Sequence, residues 1–338
     1  MRPRGQQRPK GVRCRQPMGV WHDPWQTLVK VTRDGPLVTL EPVSEGSVVQ
    51  KPLGQEPVAH GPVAQELVVR LNEGLAASEA EKEAFPQVPD TTPAGYLSRG
   101  DHNVWLVDWR PLSGARYRCS VVGVPDAARH VAAAIHSLGL PERKIHLVGH
   151  SMGAQLAATV GKLFQGRLHR ITALDPALPL FSILSHVTSI SAGDAQNVDV
   201  IHTDGGIYGI MGPVGTVDFY PNAGTRRQPG CSPELILIND LCSHHRSFMM
   251  YAESLMRPMA FPAVWCTSWK EFTSGNCNNT QTAYMGILAT TESNTRGSYF
   301  LRTSTSFPFG LGKEGIYVPQ LPTTASPLPE NEIRGHSG

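Results

Sequence analysis

Apolar and polar positions follow two different periods along the central part of the chain. Short continuous apolar runs are typical of strands that are buried on both faces of a sheet. Longer stretches with apolar residues three and four positions apart are typical of amphipathic helices. The strands predicted in this way cover residues 104–109, 145–148, 171–174 and 198–202, and the helices cover 125–138, the residues after Gly153, and 245–256.

The order of these elements predicts the fold class. Strands that alternate with helical segments form βαβ units, which build a mainly parallel sheet flanked by helices. Ser151, Asp175 and His202 stand at or just after the ends of three predicted strands. Functional sites in parallel α/β sheets form at the carboxyl ends of the strands, so these polar side chains are expected to lie at one edge.

The regular pattern covers only part of the chain. Residues 1–95 contain many prolines, short valine-rich pieces and an acidic run at 79–83, and we expect this region to be divergent and poorly ordered. Residues 96–310 form the predicted α/β domain. Residues 311–338 are rich in proline, glycine and serine and are expected to be a tail.

Composition excludes some classes of function. Thirty lysine and arginine residues against 28 aspartate and glutamate residues give a net charge of +2, which argues against a general nucleic-acid binder. No run of about 18 apolar residues predicts a membrane span. Residues 1–20 carry several arginines but no apolar segment of the kind that a secretory signal needs.

The segment Gly149-His150-Ser151-Met152-Gly153 joins a predicted buried strand to a predicted helix. A serine between two such glycines predicts a nucleophile elbow, in which a strained turn exposes the hydroxyl group. The helix that starts behind Ser151 points its dipole and the Met152 amide at an oxyanion formed there. The alternative is a glycine-rich turn without chemistry.

A nucleophilic serine needs a base and a carboxylate that orients the base. Asp175 follows a predicted strand and comes 24 residues after Ser151, although an aspartate before a proline is also a common turn residue. His244, expected in a loop just before a helix, is a candidate base. Its neighbour His245 and the strand-end His202 are rivals that the pattern alone does not exclude.

Seven ordered blocks over residues 92–310 resemble the pancreatic-lipase-like family of animal lipases, most of all its insect-type phospholipase A1 branch. The blocks begin at Asn103 (NVWLVDW), Gly149 (GHSMGA), Leu174 (LDPA), Val198 (VDVIHTDGG), Asp218 (DFYPN), Gln228 (QPGC) and Cys242 (CSHHRS). The resemblance implies an α/β-hydrolase fold with Ser151 as nucleophile, Asp175 as acid and His244 as base. It also implies that the chain is a secreted protein.

The resemblance further implies two disulfides, Cys231 with Cys242 and Cys266 with Cys277, whereas it offers no partner for Cys14 or Cys119. Disulfides belong in an oxidising compartment, and the sequon at Asn278 agrees with secretion. The loop between Cys231 and Cys242 corresponds to the family's lid. It has only ten residues, with an apolar centre. The apolar lid residues are Leu235, Ile236, Leu237 and Ile238.

A second oxyanion donor is expected from an early loop, because the Met152 amide supplies only one. The family's motif is absent, and the candidate positions are His60-Gly61 and Gly74-Leu75. Of the acidic residues that hold calcium in pancreatic-type lipases, only Asp194 is matched, so no metal is expected. The mechanism requires no cofactor.

The function expected from the resemblance is that of a secreted serine esterase acting at a membrane or lipid-droplet surface. The favoured activity is that of a phospholipase A1, which releases the sn-1 acyl chain, and a short lid agrees with it. A triacylglycerol or galactolipid lipase on the same triad is the first alternative. A catalytically weak lipid-binding protein that lacks the second oxyanion donor is the other.

Overall fold

The apolar runs form the strands of one large sheet. The computed structural model describes the strands at 27–31, 38–40 and 66–72, together with residues 92–100, 102–109, 117–181, 183, 187–231, 241–289 and 295–317. The strands are β1 (Thr27–Val31), β2 (Val38–Leu40), β3 (Glu66–Asn72), β4 (His102–Asp108), β5 (Ile145–His150), β6 (Arg170–Leu174), β7 (Asn197–Ile201), β8 (Val217–Pro221), β9 (Pro262–Trp265), β10 (Thr282–Tyr284) and β11 (Gly297–Leu301).

The centre of the sheet is parallel and its two edges are antiparallel. The described strands lie in the order β10-β9-β11-β8-β7-β6-β5-β3-β4-β1-β2. Pairing is parallel from β11 through β8, β7, β6, β5 and β3 to β4. Strands β9 and β10 continue one edge with antiparallel pairs, and β1 and β2 continue the other. The predicted α/β-hydrolase fold is confirmed.

Helices cover both faces of this sheet. They are α1 (Thr92–Arg99), α2 (Tyr117–Ser137), α3 (Met152–Leu163), α4 (Cys242–Met256) and α5 (Trp269–Thr273). Short 3₁₀ turns occupy Glu142–Lys144, Ala192–Asp194, Asn222–Gly224 and Gly312–Gly315. None of the helices in the described part of the chain is long and apolar enough to cross a membrane.

Alternate side chains of the central strands enter two different cores. On one face Leu147 packs in the cluster that contains the buried residues of α2 and α3. On the other face Val148 packs with Tyr96 of α1 and Tyr251 of α4. All six residues of β5 are buried, as expected for a strand covered by helices on both sides.

Helix α2 begins eight residues before the position predicted for it. The prediction started this helix at about Pro125. Proline is favoured in the first turn of a helix and disfavoured further in. In the structure Pro125 lies inside the helix, and Val121 and Val124 are buried with Ala128 on the face that packs against α3. The apolar spacing of these residues extends the helix toward its amino end.

The predicted limits of the three regions of the chain stay predictions. Within the first 95 residues, β1, β2 and β3 belong to the sheet, and β3 lies between β4 and β5. Strand β3 includes one of the short valine-rich pieces noted in the sequence. Because β3 pairs in parallel with β5, its carboxyl end lies at the same sheet edge as Ser151. Residues 318–338 of the predicted tail lie outside the described part of the chain.

Candidate active site

Ser151 occupies the sharp turn between β5 and α3. Its backbone angles are φ 53° and ψ −116°, a combination that is unfavourable for a residue with a side chain. A Cβ on Gly149 would lie 2.3 Å from the Gly153 carbonyl oxygen, so only glycine fits before the serine. The Ser151 amide donates to the Leu174 carbonyl at 2.9 Å, which ties the turn to the end of β6. This geometry is that of the predicted nucleophile elbow.

Asp175 follows β6 and is completely buried. Its Oδ1 accepts hydrogen bonds from the amides of Thr203, at 2.8 Å, and Asp204, at 3.0 Å. Its Oδ2 accepts a hydrogen bond from Nδ1 of His244 at 2.5 Å. An ordinary turn aspartate would be exposed to water, whereas this carboxylate is fixed by two amides and an imidazole.

His244 lies in the first turn of α4, and the prediction that it lies in a loop before the helix was wrong. The helix begins at Cys242, and the His245 amide already donates to the Leu241 carbonyl at 2.8 Å in the helical pattern. Because Nδ1 of His244 donates to Asp175, its Nε2 is the nitrogen that can accept a proton.

The two rival histidines are engaged elsewhere. Nδ1 of His202 lies within hydrogen-bonding distance of the Ile210 carbonyl oxygen and Nε2 within hydrogen-bonding distance of Asp218 Oδ1, each at 2.8 Å. Neither ring nitrogen of His202 is therefore directed at the nucleophile. The ring of His245 packs 5.3 Å from that of Phe248 and 6.3 Å from that of His244.

Helix α3 begins at Met152, directly after Ser151, as predicted. The helix dipole favours negative charge at the amino end of a helix. The Met152 amide is therefore suited to a developing oxyanion. Of the positions considered for a second donor, His60-Gly61 and Gly74-Leu75 both lie outside the described residues.

Sequence reasoning missed a shell of groups around the acid and the base. Tyr208 lies 5.5 Å from the His244 ring, measured between ring centroids, and Arg226 lies over the Tyr208 ring at 5.2 Å. Arg226 also forms two hydrogen bonds with the Asp204 carboxylate, at 2.9 and 2.8 Å. Burial raises the pKa of the Asp204 carboxyl, and the Arg226 guanidinium opposes that shift.

The structure forms both disulfides that the resemblance implied, Cys231–Cys242 and Cys266–Cys277. Cys119 is also disulfide-bonded, whereas Cys14 lies outside the described residues. Ser243, between Cys242 and His244, accepts hydrogen bonds from the amides of residues 227 and 228. The start of α4 is therefore held covalently and by hydrogen bonds.

The apolar lid residues Leu235, Ile236, Leu237 and Ile238 lie outside the described residues. Asp194, the single match to a calcium ligand, forms an ion pair with Lys162 at 2.6 Å and accepts hydrogen bonds from Ser191. Among the residues that the structure describes, no group of three or more His, Cys, Asp or Glu side chains is arranged to hold a metal ion.

Comparison with known proteins extends this description. Residues 84–309 match the family model described as Lipase. A pancreatic triacylglycerol lipase from Myocastor coypus is 34% identical over an alignment of 224 residues, and the match covers 54% of this chain and 48% of the relative. A phospholipase A1 member A from Bos taurus is 36% identical over 186 residues, 54% of this chain and 41% of the relative.

The chain therefore spans less than half the length of these two relatives. Among solved structures, the α/β hydrolase MGS-M1 from a Medee basin deep-sea metagenome library is 16% identical with a TM-score of 0.31. That similarity covers 55% of this chain and 73% of the other.

Proposed function

Because the chain belongs to the lipase family, we propose that it hydrolyses lipid esters through an acyl-enzyme intermediate on Ser151. The hydrogen bond of 2.5 Å between His244 and the buried Asp175 carries this proposal, because it orients an imidazole that can act as base for Ser151, which has the backbone angles of an elbow. Asp175 acts as the acid of the triad, His244 as the base and Ser151 as the nucleophile.

The first half of the reaction forms the acyl-enzyme. Nε2 of His244 takes the Ser151 hydroxyl proton while the serine oxygen attacks the ester carbonyl carbon. The carbonyl oxygen becomes an oxyanion that the Met152 amide stabilises. The intermediate collapses, the ester C–O bond breaks, and His244 returns the proton to the leaving alcohol. Asp175 stabilises the imidazolium throughout.

The second half hydrolyses the acyl-enzyme. His244 takes a proton from water, and the resulting hydroxide attacks the acyl carbon. The bond to Ser151 breaks, the serine oxygen regains the proton, and a fatty acid leaves. No cofactor takes part in these steps.

The second oxyanion donor comes, in this proposal, from the segment after β3. Leu71 of β3 pairs with Gly149 of β5, so β3 ends at the sheet edge that carries Ser151. The position of Gly74-Leu75 in the sequence, shortly after Asn72, favours this pair over His60-Gly61. A missing donor would lower the rate by roughly 10²–10³-fold.

Phospholipids are the favoured substrate, with release of the sn-1 acyl chain. The ten-residue segment between Cys231 and Cys242 supports this choice, because a short lid leaves room for a polar head group. The similarity to a relative named phospholipase A1 member A supports it as well. The similarity to a pancreatic triacylglycerol lipase favours triacylglycerol as the second candidate substrate.

We also propose that the protein is secreted and acts at a membrane or lipid-droplet surface. The disulfides Cys231–Cys242 and Cys266–Cys277 support an oxidising compartment. Expression in cultured cells with a supplied secretion signal, followed by non-reducing mass spectrometry of the released protein, tests whether both bonds form.

The test of the activity compares fatty-acid release from sn-1-labelled phosphatidylcholine, triolein and a soluble p-nitrophenyl ester. The variants are Ser151→Ala and Ser137→Ala, the second being an exposed serine at the end of α2 that serves as the matched control. We expect phospholipid hydrolysis by the wild type and the control and none by Ser151→Ala.

Three results decide between the candidates. Faster release from triolein than from phosphatidylcholine would replace the phospholipase assignment with a triacylglycerol lipase. Binding of lipid vesicles by a folded protein without hydrolysis of any ester would favour the lipid-binding protein. Hydrolysis that persists in Ser151→Ala would refute the acyl-enzyme mechanism.

A further inference from the structure

The backbone carbonyl of His244 accepts hydrogen bonds from three side chains. Nε2 of His150 donates to it at 3.2 Å, the hydroxyl of Ser247 at 2.9 Å and the hydroxyl of Thr203 at 3.4 Å. Ser247 lies one helical turn further along α4, so its bond is local. The other two donors come from the ends of two different strands.

These two donors connect the base to the other members of the triad. His150 is the last residue of β5 and immediately precedes Ser151. Thr203 follows β7, and its backbone amide donates to the Asp175 carboxylate at 2.8 Å. The His244 carbonyl, on α4, is therefore hydrogen-bonded both to the residue that precedes Ser151 and to Thr203, which binds Asp175.

The ring of His150 also packs against the base. Its centroid lies 4.5 Å from that of the His244 ring and 5.2 Å from that of Phe248, with the Phe248 ring edge-on. His150 is buried, with 7% of its surface exposed. A ring of this size fills the space between β5 and the first turns of α4, and its Nε2–H reaches the carbonyl.

We propose that His150 is a positioning residue that holds His244 in register with Ser151. It acts through its hydrogen bond to the His244 carbonyl and does not touch the ester. The role rests on the proposed function, since it requires Ser151 and His244 to be nucleophile and base. Misplacement of a reacting group by about 1 Å lowers rates by up to roughly 100-fold, so a modest shift of α4 is enough to reduce turnover.

Two substitutions separate the hydrogen bond from the packing. His150→Phe keeps an aromatic ring between β5 and α4 and removes the donor. His150→Gln keeps an N–H that can reach the carbonyl and removes the ring. We expect kcat on a soluble p-nitrophenyl ester to fall roughly 10- to 100-fold in His150→Phe with KM nearly unchanged. His150→Gln is expected to retain kcat within about fivefold, because the hydrogen bond remains.

The matched control is His136→Phe, which changes an exposed histidine on α2 in contact with Phe164. Thermal unfolding shows which variants remain folded. If His150→Phe does not fold, Thr203→Val removes the second long-range donor and keeps the amide that binds Asp175. It is expected to lower kcat several-fold in the same way.

Proton NMR of the histidine N–H groups gives a second measurement that does not need turnover. The Nδ1 proton of His244, bound to Asp175, is expected to resonate at low field in the wild type and in His150→Gln. It is expected to shift or broaden in His150→Phe. This measurement reports the position of the His244 ring directly.

The outcomes distinguish the two levels of the proposal. Unchanged kcat and an unchanged low-field proton in a folded His150→Phe would refute the positioning role, as would equal losses in both His150 variants. A wild-type protein without Ser151-dependent turnover would refute the proposed function, and the NMR comparison would then decide alone whether His150 positions His244.

Discussion

Gly209 lies against the carboxylate of Asp175 so closely that a Cβ on it would stand 2.4 Å from Oδ1. The same oxygen accepts the amides of Thr203 and Asp204. A methyl group at residue 209 therefore has to displace the carboxylate that binds His244. Glycine is required there by space, since the φ of Gly209 is not among the positive values.

Gly209→Ala is accordingly expected to lower kcat on a soluble ester by roughly 10- to 100-fold. Gly212→Ala is the matched control, because nothing lies within 4 Å of a Cβ at that residue of the same loop. Steady-state kinetics and thermal unfolding of the two variants provide the check. A fully active Gly209→Ala would mean that the carboxylate does not need its present position.

Substitutions of the two adjacent histidines of α4 are expected to lower kcat by very different factors. His244→Ala removes the partner of Asp175 and is expected to reduce kcat on the order of 10⁴-fold or more. His245→Ala removes ring contacts with Phe248 and is expected to lower kcat by less than about fivefold. Rates on the same soluble ester measure both. Comparable losses in the two variants would contradict the assignment of the base.

His146 makes stability depend on pH. Burial lowers its pKa well below 6.5, so the folded protein keeps the ring neutral while the unfolded chain takes up a proton. Protonation of the unfolded chain therefore lowers the free energy of unfolding at acidic pH. The loss is absent above about pH 6.5 and grows by about 1.4 kcal/mol per pH unit as pH falls toward the folded pKa. Urea unfolding at pH 5 and pH 8 measures it.

The wild type is expected to lose more stability between these two pH values than His146→Gln does. His136→Gln, at an exposed position of α2, is expected to behave like the wild type. An identical pH dependence in His146→Gln and wild type would show that protonation of another group dominates.

Arg170 and Asp199 form a buried ion pair with two hydrogen bonds, at 2.7 and 3.0 Å. Asp199→Asn leaves the guanidinium without its counter-charge, which is expected to lower the free energy of unfolding by about 3–5 kcal/mol. Glu142→Gln removes the charge of the partly exposed partner of Arg167 and is expected to lower the free energy of unfolding by less than about 1 kcal/mol. Urea titrations measure the free energy of unfolding of both variants. A loss in Asp199→Asn no larger than that in Glu142→Gln would contradict the prediction.

Deletion of residues 235–238 tests the lid. If the apolar residues of this segment contact lipid, the deletion is expected to lower activity on phospholipid vesicles more than activity on a soluble ester. The apolar character of Leu235, Ile236, Leu237 and Ile238 is the reason. Equal losses on both substrates would show that the segment has no role at the lipid surface.

The secondary structure around Ser151 could be predicted from the local sequence. The hydrogen-bonding partners of His244 could not. The apolar run before Gly149 and the small residues after Gly153 specify a strand, a turn and a helix within a few positions, so the elbow was predictable. His150 stands in the same motif. Its role depends on a carbonyl 94 residues away, which no local pattern encodes.

The start of α4 was also mispredicted, because contacts with residues far away in the sequence determine it. The prediction began the helix at about His245 and left two polar residues, Ser243 and His244, in the preceding loop. In the structure both are buried under neighbouring loops, where they bind residues 227 and 175. Polar residues with distant partners look like loop residues in a sequence, and this is where the prediction was wrong.

The disulfide between Cys231 and Cys242 holds the two ends of the bridged loop together beside the helix that carries His244. Its two Cα atoms are 5.7 Å apart, and Cys242 is the first residue of the helix that carries His244. Insertions or deletions between the two cysteines therefore change the size of the bridged loop while its ends stay together. The length of such a loop can therefore change without moving His244.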